Sequence, residues 1–127
     1  MGPVRGTSLI GVYPLHMLAL SIRQPYAEEI LRGIKTVEYR SRPTAKIEER
    51  FYIYAAKKWP GRAAVDRFCK LQWTEGELPT GVIVGTAKIS HCTQGAEFVE
   101  WHLTDVKRLA NPLNPARHPQ PIWFRPF

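Results

Sequence analysis

ERFYIYAA, residues 49–56, is a run of aromatic and β-branched side chains that suits a pleated strand better than a helix. Trp59-Pro60-Gly61 ends it at once. Five further stretches read the same way: MLALSIRQ (17–24), KTVEYRS (35–41), TGVIVGTAKIS (80–90), EFVEWHL (97–103) and IWF (122–124). Only two segments have helical spacing. In the first, Pro25 suits the opening turn, where a missing N–H costs nothing. Tyr26, Ala27, Ile30, Leu31 and Ile34 then share one side, Glu28, Glu29 and Arg32 face out, and Gly33 stops the helix. The second covers 61–73, with Ala64, Val65, Phe68, Cys69 and Leu71 as its buried side. Gly85, inside a strand, implies a bulge or a close backbone approach. Strands outnumber helices and lie close together in sequence. The expectation is one α+β domain built on a small curled sheet or barrel, with the two helices against it.

The chain has 127 residues, enough for one domain with a real core. Met17 is a natural start for the folded part, which leaves residues 1–16 as an N-terminal extension and 17–127 as the domain. The first residues make a poor signal peptide, and no apolar run approaches the roughly 20 residues of a membrane span. Cys69 and Cys92 form no disulfide framework and read as small buried thiols. An intracellular, cytoplasmic setting fits, with no membrane partner. Eighteen Lys and Arg against eleven Asp and Glu give a net charge of +7. A small domain with that balance attracts polyanions, nucleic acid first.

The octet GIKTVEYR, residues 33–40, threads charges through strand-forming residues. Strand alternation puts Thr36, Glu38 and Arg40 on one face and Val37 and Tyr39 on the other. Arg40 offers a planar fork to a phosphate or a base edge. Lys35 adds a point charge, and Glu38 can accept from an exocyclic amine. The same residues would also make a plain ion pair on a barrel surface.

Several stretches together resemble the ASCH domain of the PUA-like superfamily. They are LSIRQPYAEEILRGIKTVEYRSRPT (20–44), IYAAKKWP (53–60), GVIVGTAKI (81–89), EWHLTDVKRL (100–109) and PIW (121–123). The family signature G-x-K-x-x-E-x-R is complete as Gly33, Lys35, Glu38 and Arg40. The resemblance implies a PUA-like β-barrel of about five to six strands flanked by two helices, with a cleft beside the first helix. It also implies a function. Superfamily relatives read RNA and modified bases, and the ASCH family is generally proposed to bind RNA. A few small members hydrolyse acetylated cytidine, and some are linked to RNA cleavage. The acetylcytidine hydrolases carry a threonine nucleophile three positions after the lysine. Here Glu38 stands there, which speaks against that chemistry.

The resulting expectation is a binding module for RNA, single-stranded nucleic acid or a small nucleoside, more a binder than an enzyme. Its cleft is expected to hold Gln24, Lys35, Glu38, Arg40 and Ser41, with Trp59 as an aromatic contact among Lys57, Lys58 and Arg62. Gln24 could equally cap the helix that follows. Tyr26 and Trp101 lie on apolar faces and suit core packing. Arg23, Arg32, Arg42 and Lys46 surround the signature, as phosphate contacts or as a solvated face. One alternative is a small hydrolase acting on RNA or a modified nucleoside, with Lys35 and Glu38 as its catalytic pair. A protein-interaction module is another. No cofactor or metal is expected, because His91, Cys92, His102 and His118 lack metal-ligand spacing.

Overall fold

Apolar patterning and turn chemistry set the order of elements in the computed structural model, which describes residues 9–10, 13–14 and 16–127. The strands and helices are β1 (Leu9–Ile10), β2 (Tyr13–Pro14), β3 (Ala19–Arg23), α1 (Tyr26–Leu31), β4 (Val37–Arg40), β5 (Phe51–Ala56), α2 (Arg62–Phe68), β6 (Val82–Gln94), β7 (Val99–Leu113) and β8 (Trp123–Phe124). β1 and β2 form a short antiparallel pair. The other six strands make one sheet in the order β4-β7-β6-β5-β3-β8. β3 and β5 run parallel, and every other neighbour in that sheet is antiparallel. The expected α+β architecture is present, with its six-stranded sheet and two helices. Among the described residues, no helix is long and apolar enough to cross a membrane.

β5 shows no polar alternation because both its faces are covered, as expected of a strand inside a layered core. Phe51, Ile53 and Ala55 pack with Leu20, Ile22, Ile30, Ile89 and Trp101 on one side. Tyr52 and Tyr54 pack with Met17, Ala19, Ile83 and Phe124 on the other. Each fully buried large side chain contributes about 1.5–3 kcal/mol by leaving water. Tyr13 of β2 lies edge-on to Tyr52 at 5.9 Å.

β4 and β8 are the edges of the sheet, and no ladder joins them. The sheet nevertheless curls far enough for side chains to cross the seam. Trp101 of β7 stacks on Trp123 of β8, with ring centres 6.1 Å apart. Arg40 of β4 donates from Nη2 to the Ser21 carbonyl of β3 at 3.0 Å. The barrel is thus completed by side chains rather than by backbone hydrogen bonds.

α1 ends as its glycine implies. Gly33 has φ +75°, and the Gly33 and Ile34 amides donate back to the Ile30 and Glu29 carbonyls at 3.0 and 2.9 Å. That is the Schellman pattern. Glu28 and Glu29, expected to face out, are instead buried. Glu28 accepts from Arg32 at 2.7 Å and from both Arg108 amino groups at 2.9 and 2.7 Å. Arg108 comes from β7, 80 positions along the chain, a pairing that helical periodicity does not reveal.

α2 also departs from expectation. It stops at Phe68 rather than reaching 73, with Cys69 already extended. Glu29 captures the amides beyond, accepting from Lys70 at 3.1 Å and from Leu71 at 3.0 Å. It also accepts from the Trp73 indole at 2.8 Å. Leu71 is therefore exposed and Trp73 buried, the reverse of a continuing helix. Cys69 and Cys92 are half-buried rather than buried. β6 and β7 run well past the expected ends, because each supplies the other with a long antiparallel partner.

Gly85 sits at a register shift in β6, as its place in a strand suggested. A Cβ there would lie 2.5 Å from Leu31 Cδ2 and 2.6 Å from the Lys107 carbonyl oxygen. Gly85→Ala should therefore lower stability by about 1–3 kcal/mol, the usual penalty for overpacking. Chemical denaturation measures this, and an unchanged midpoint would show that α1 and β7 yield freely at this point.

Candidate functional site

The turn after α1 fixes Lys35, whose amide donates to the Glu29 carbonyl at 3.1 Å. β4 begins two residues later, with Glu38 opposite Trp101 and Arg40 opposite Val99. Glu38 and Arg40 therefore share a strand face, as alternation requires. The Glu38 carboxylate joins the signature together. Its Oε2 accepts from Arg40 Nη2 at 2.7 Å and from Nε at 3.2 Å. Its Oε1 lies 3.8 Å from Lys35 Nζ. Arg40 lies over the Trp101 ring at 5.5 Å.

Lys35 is not the solvated charge of a surface ion pair. Its side chain is 7 % exposed. Its amine lies 4.7 Å from the Tyr39 ring centre and 5.5 Å from that of Tyr26. Burial pushes its pKa below the ordinary 10.5, and Glu38 pulls in the opposite direction. Burial also drives the neighbouring Tyr26 hydroxyl up to about 12. The Cys69 thiol rises to about 11, first from burial and then from the charge of Glu29.

The signature residues touch one another but face two different hollows. Arg40 stands on the wall of an open cleft of about 500 Å³, together with Arg23, Lys57, Lys58 and His118. Among the described residues, no carboxylate lines it. The topology assembles this wall: parallel pairing sets Arg23 of β3 beside Ala56 of β5, and Lys57 and Lys58 follow directly. Lys35 and Glu38 instead line a hollow of about 140 Å³ among Tyr26, Tyr39, Phe68 and Phe98.

Gln24 is fully buried and faces neither hollow. Its Oε1 accepts from the Glu28 amide and its Nε2 donates to the Pro79 carbonyl, both at 3.0 Å. Of its two open roles, the structure shows the helix cap, and the same amide ties the 75–79 loop to α1. Ser41 is exposed just past the end of β4. Trp59 is half-buried and off the cleft wall, while its neighbours Lys57 and Lys58 are on it. Arg32 is bound to Glu28 and lies 4.9 Å over Trp73. Trp101 is core, donating its indole N–H to the Arg42 carbonyl at 2.8 Å. Sequence reading missed His118 on the cleft and the Phe68–Phe98 pair. The doublet Lys57-Lys58 was a visible signal for the cleft; nothing local marked the rest.

A family model described as ASCH domain matches residues 20–113. No curated protein matches the chain. Among solved structures, an ASCH crystal structure from Zymomonas mobilis is similar over 79 % of this chain and 74 % of its own, at 19 % identity and a TM-score of 0.52. A serine-to-alanine variant of that protein gives 78 % and 74 %, at 19 % identity and 0.53. A tyrosine-to-phenylalanine variant gives 78 % and 76 %, at 18 % identity and 0.53. At such identities these structures share the fold.

The buried amine has a measurable consequence. With its pKa lowered on folding, Lys35 binds fewer protons in the native than in the unfolded state within the window between the lowered value and 10.5. Its burial therefore costs most at neutral pH, and the cost fades as pH rises through that window. Lys35→Met, an apolar side chain of similar length among aromatic rings, should show its largest relative stability at pH 7. That advantage should shrink toward pH 10.5. Denaturation midpoints at several pH values test this, and a constant difference would mean that Lys35 titrates like an exposed lysine.

Proposed function

This chain belongs to the ASCH domain family, and from that premise we propose that it binds RNA or another single-stranded nucleic acid, with the phosphate backbone in the Arg40 cleft. The observation that carries this reading is the composition of the cleft wall. Arg23, Arg40, Lys57 and Lys58 converge with His118 around about 500 Å³, with no carboxylate among the lining residues. A wall of one sign of charge raises the local concentration of polyanions and speeds their arrival. Arg23, Lys57 and Lys58 are exposed, as groups that trade counterions for phosphates must be. Arg40 is oriented by Glu38 and the Ser21 carbonyl, so its remaining donors are held in a fixed direction.

A second reading has its own observation. Lys35 is a desolvated amine 3.8 Å from a carboxylate, an arrangement that general acid–base catalysis uses. On that reading the protein is a small hydrolase of RNA or a modified nucleoside. Turnover would vanish in Lys35→Ala and in Glu38→Gln and would persist, with weaker substrate binding, when the cleft cations are removed.

One titration separates the two. Labelled single-stranded RNA is added at two salt concentrations, and the same samples are inspected for cleavage. The binding module predicts intact RNA and affinity that falls steeply with salt. The double variant Lys57→Ala/Lys58→Ala should flatten the log–log salt slope by about 1.4, roughly 0.7 for each lost single-strand phosphate contact. An unchanged slope moves the phosphate path away from this cleft. Cleavage that disappears in Lys35→Ala establishes the hydrolase. A protein with neither affinity nor turnover at low salt would be read as a protein-interaction module.

A further inference from the structure

The signature leads to a second surface that the cleft does not use. Tyr39, Phe68 and Phe98 form a triangle of rings with centres 5.5 to 6.0 Å apart. Tyr26 joins it edge-on to Phe68 at 6.4 Å. The cluster is open: Tyr39 is 39 % exposed, and hollows of about 300 and 140 Å³ lie against the rings. Cations already occupy part of it. Arg67 lies 4.8 Å from the Phe68 ring centre and 5.9 Å from that of Phe98, and Lys35 lies under Tyr39.

The charge of this surface differs from that of the cleft. Glu38, Glu97 and Glu100 line its hollows, and Arg67 is bound to Glu97 at 2.7 Å. Carboxylates repel phosphate but accept hydrogen bonds from exocyclic amines. Aromatic faces stack any base. The surface is thus unsuited to a nucleic-acid backbone and suited to its bases. It also lies in the right place. Tyr39 and Arg40 are consecutive residues on an edge strand and point to opposite faces. Arg40 meets the carboxylate-free cleft and Tyr39 the aromatic cluster, while Glu38, on the Arg40 face, binds Arg40 and also lines the aromatic hollow.

We propose that the Tyr39–Phe68–Phe98 cluster is a base-stacking platform, where an unpaired base of the strand held in the cleft rests after crossing the free edge of β4. This assignment rests on the reading of the cleft given above. It divides recognition between two surfaces: Arg23, Lys57 and Lys58 hold phosphate, and Tyr39 and Phe98 hold a base. The platform favours a single-stranded ligand, because a paired base must first be unpaired and unstacked, at a cost in free energy, to reach the rings.

The test compares a hexaribonucleotide with an analogue of equal length and charge that carries hydrogen at every C1′ in place of the bases. The parent protein should bind the base-bearing strand roughly 5- to 150-fold more tightly, the range expected for one stacked base. Tyr39→Ala should bring that ratio close to one while leaving affinity for the base-free strand unchanged. Tyr39→Phe should keep the ratio. Circular dichroism confirms that the variants fold, and the comparison in the parent protein needs no variant at all. Equal binding of both strands by the parent overturns the platform and leaves the cleft standing. A ratio that survives Tyr39→Ala also overturns it. If neither strand binds, the cleft reading fails, and the platform fails with it.

Discussion

The buried carboxylate of Glu29 ties α1 to the segment that follows α2. It is inaccessible to water and accepts hydrogen bonds from two backbone amides and an indole beyond α2. A charge in that position is tolerable only because several donors converge on it. The donors converge on it because the chain leaves the helix after Phe68, with Cys69 already extended. The same residue's carbonyl closes the turn that delivers Lys35. Glu29 therefore sets where α2 stops, where Phe68 faces and where the signature begins.

Around that anchor, opposite requirements are met by neighbouring residues. The β4 edge is only four residues long, which limits its exposed backbone. Its side chains supply the closure that its hydrogen bonds do not. Arg40 reaches across to β3, and Glu38 keeps that guanidinium pointed. Glu28 plays the matching part on the other side of α1, where its two arginine partners hold its pKa below the ordinary carboxylate range, Arg108 most of all. The buried acids of α1 thus draw donors from distant chain segments, whereas Glu38 of β4 is matched by its sequence neighbours Lys35 and Arg40.

The six strands of the large sheet and α1 were legible because their signals are local. The FYIY run, the Pro25 start and the Gly33 stop each act within a few residues. The octet 33–40 was legible as a connected charge cluster for the same reason. What could not be read depends on encounters across the chain. Glu28 and Glu29 follow the pattern of a solvent face, yet Arg108 and the 70–73 amides draw them inside. α2 reads as a helix to 73 by spacing, and Glu29 ends it sooner. Gln24 was open between two roles, and only the arrival of Pro79 made its amide part of the core. The split of the signature between two hollows follows from the seam between β4 and β3, which no spacing rule contains.

The net charge of +7 is consequently two quantities rather than one. Lys35, Glu38 and much of Arg40 lie inside the protein, where mobile ions do not reach them. Arg23, Lys57 and Lys58 stand in solvent, where a Debye length of about 8 Å at physiological ionic strength already weakens their reach. Salt acts on the second group and leaves the first alone. The domain can therefore lose its grip on a polyanion as ionic strength rises while the charged lattice that shapes its sheet stays intact.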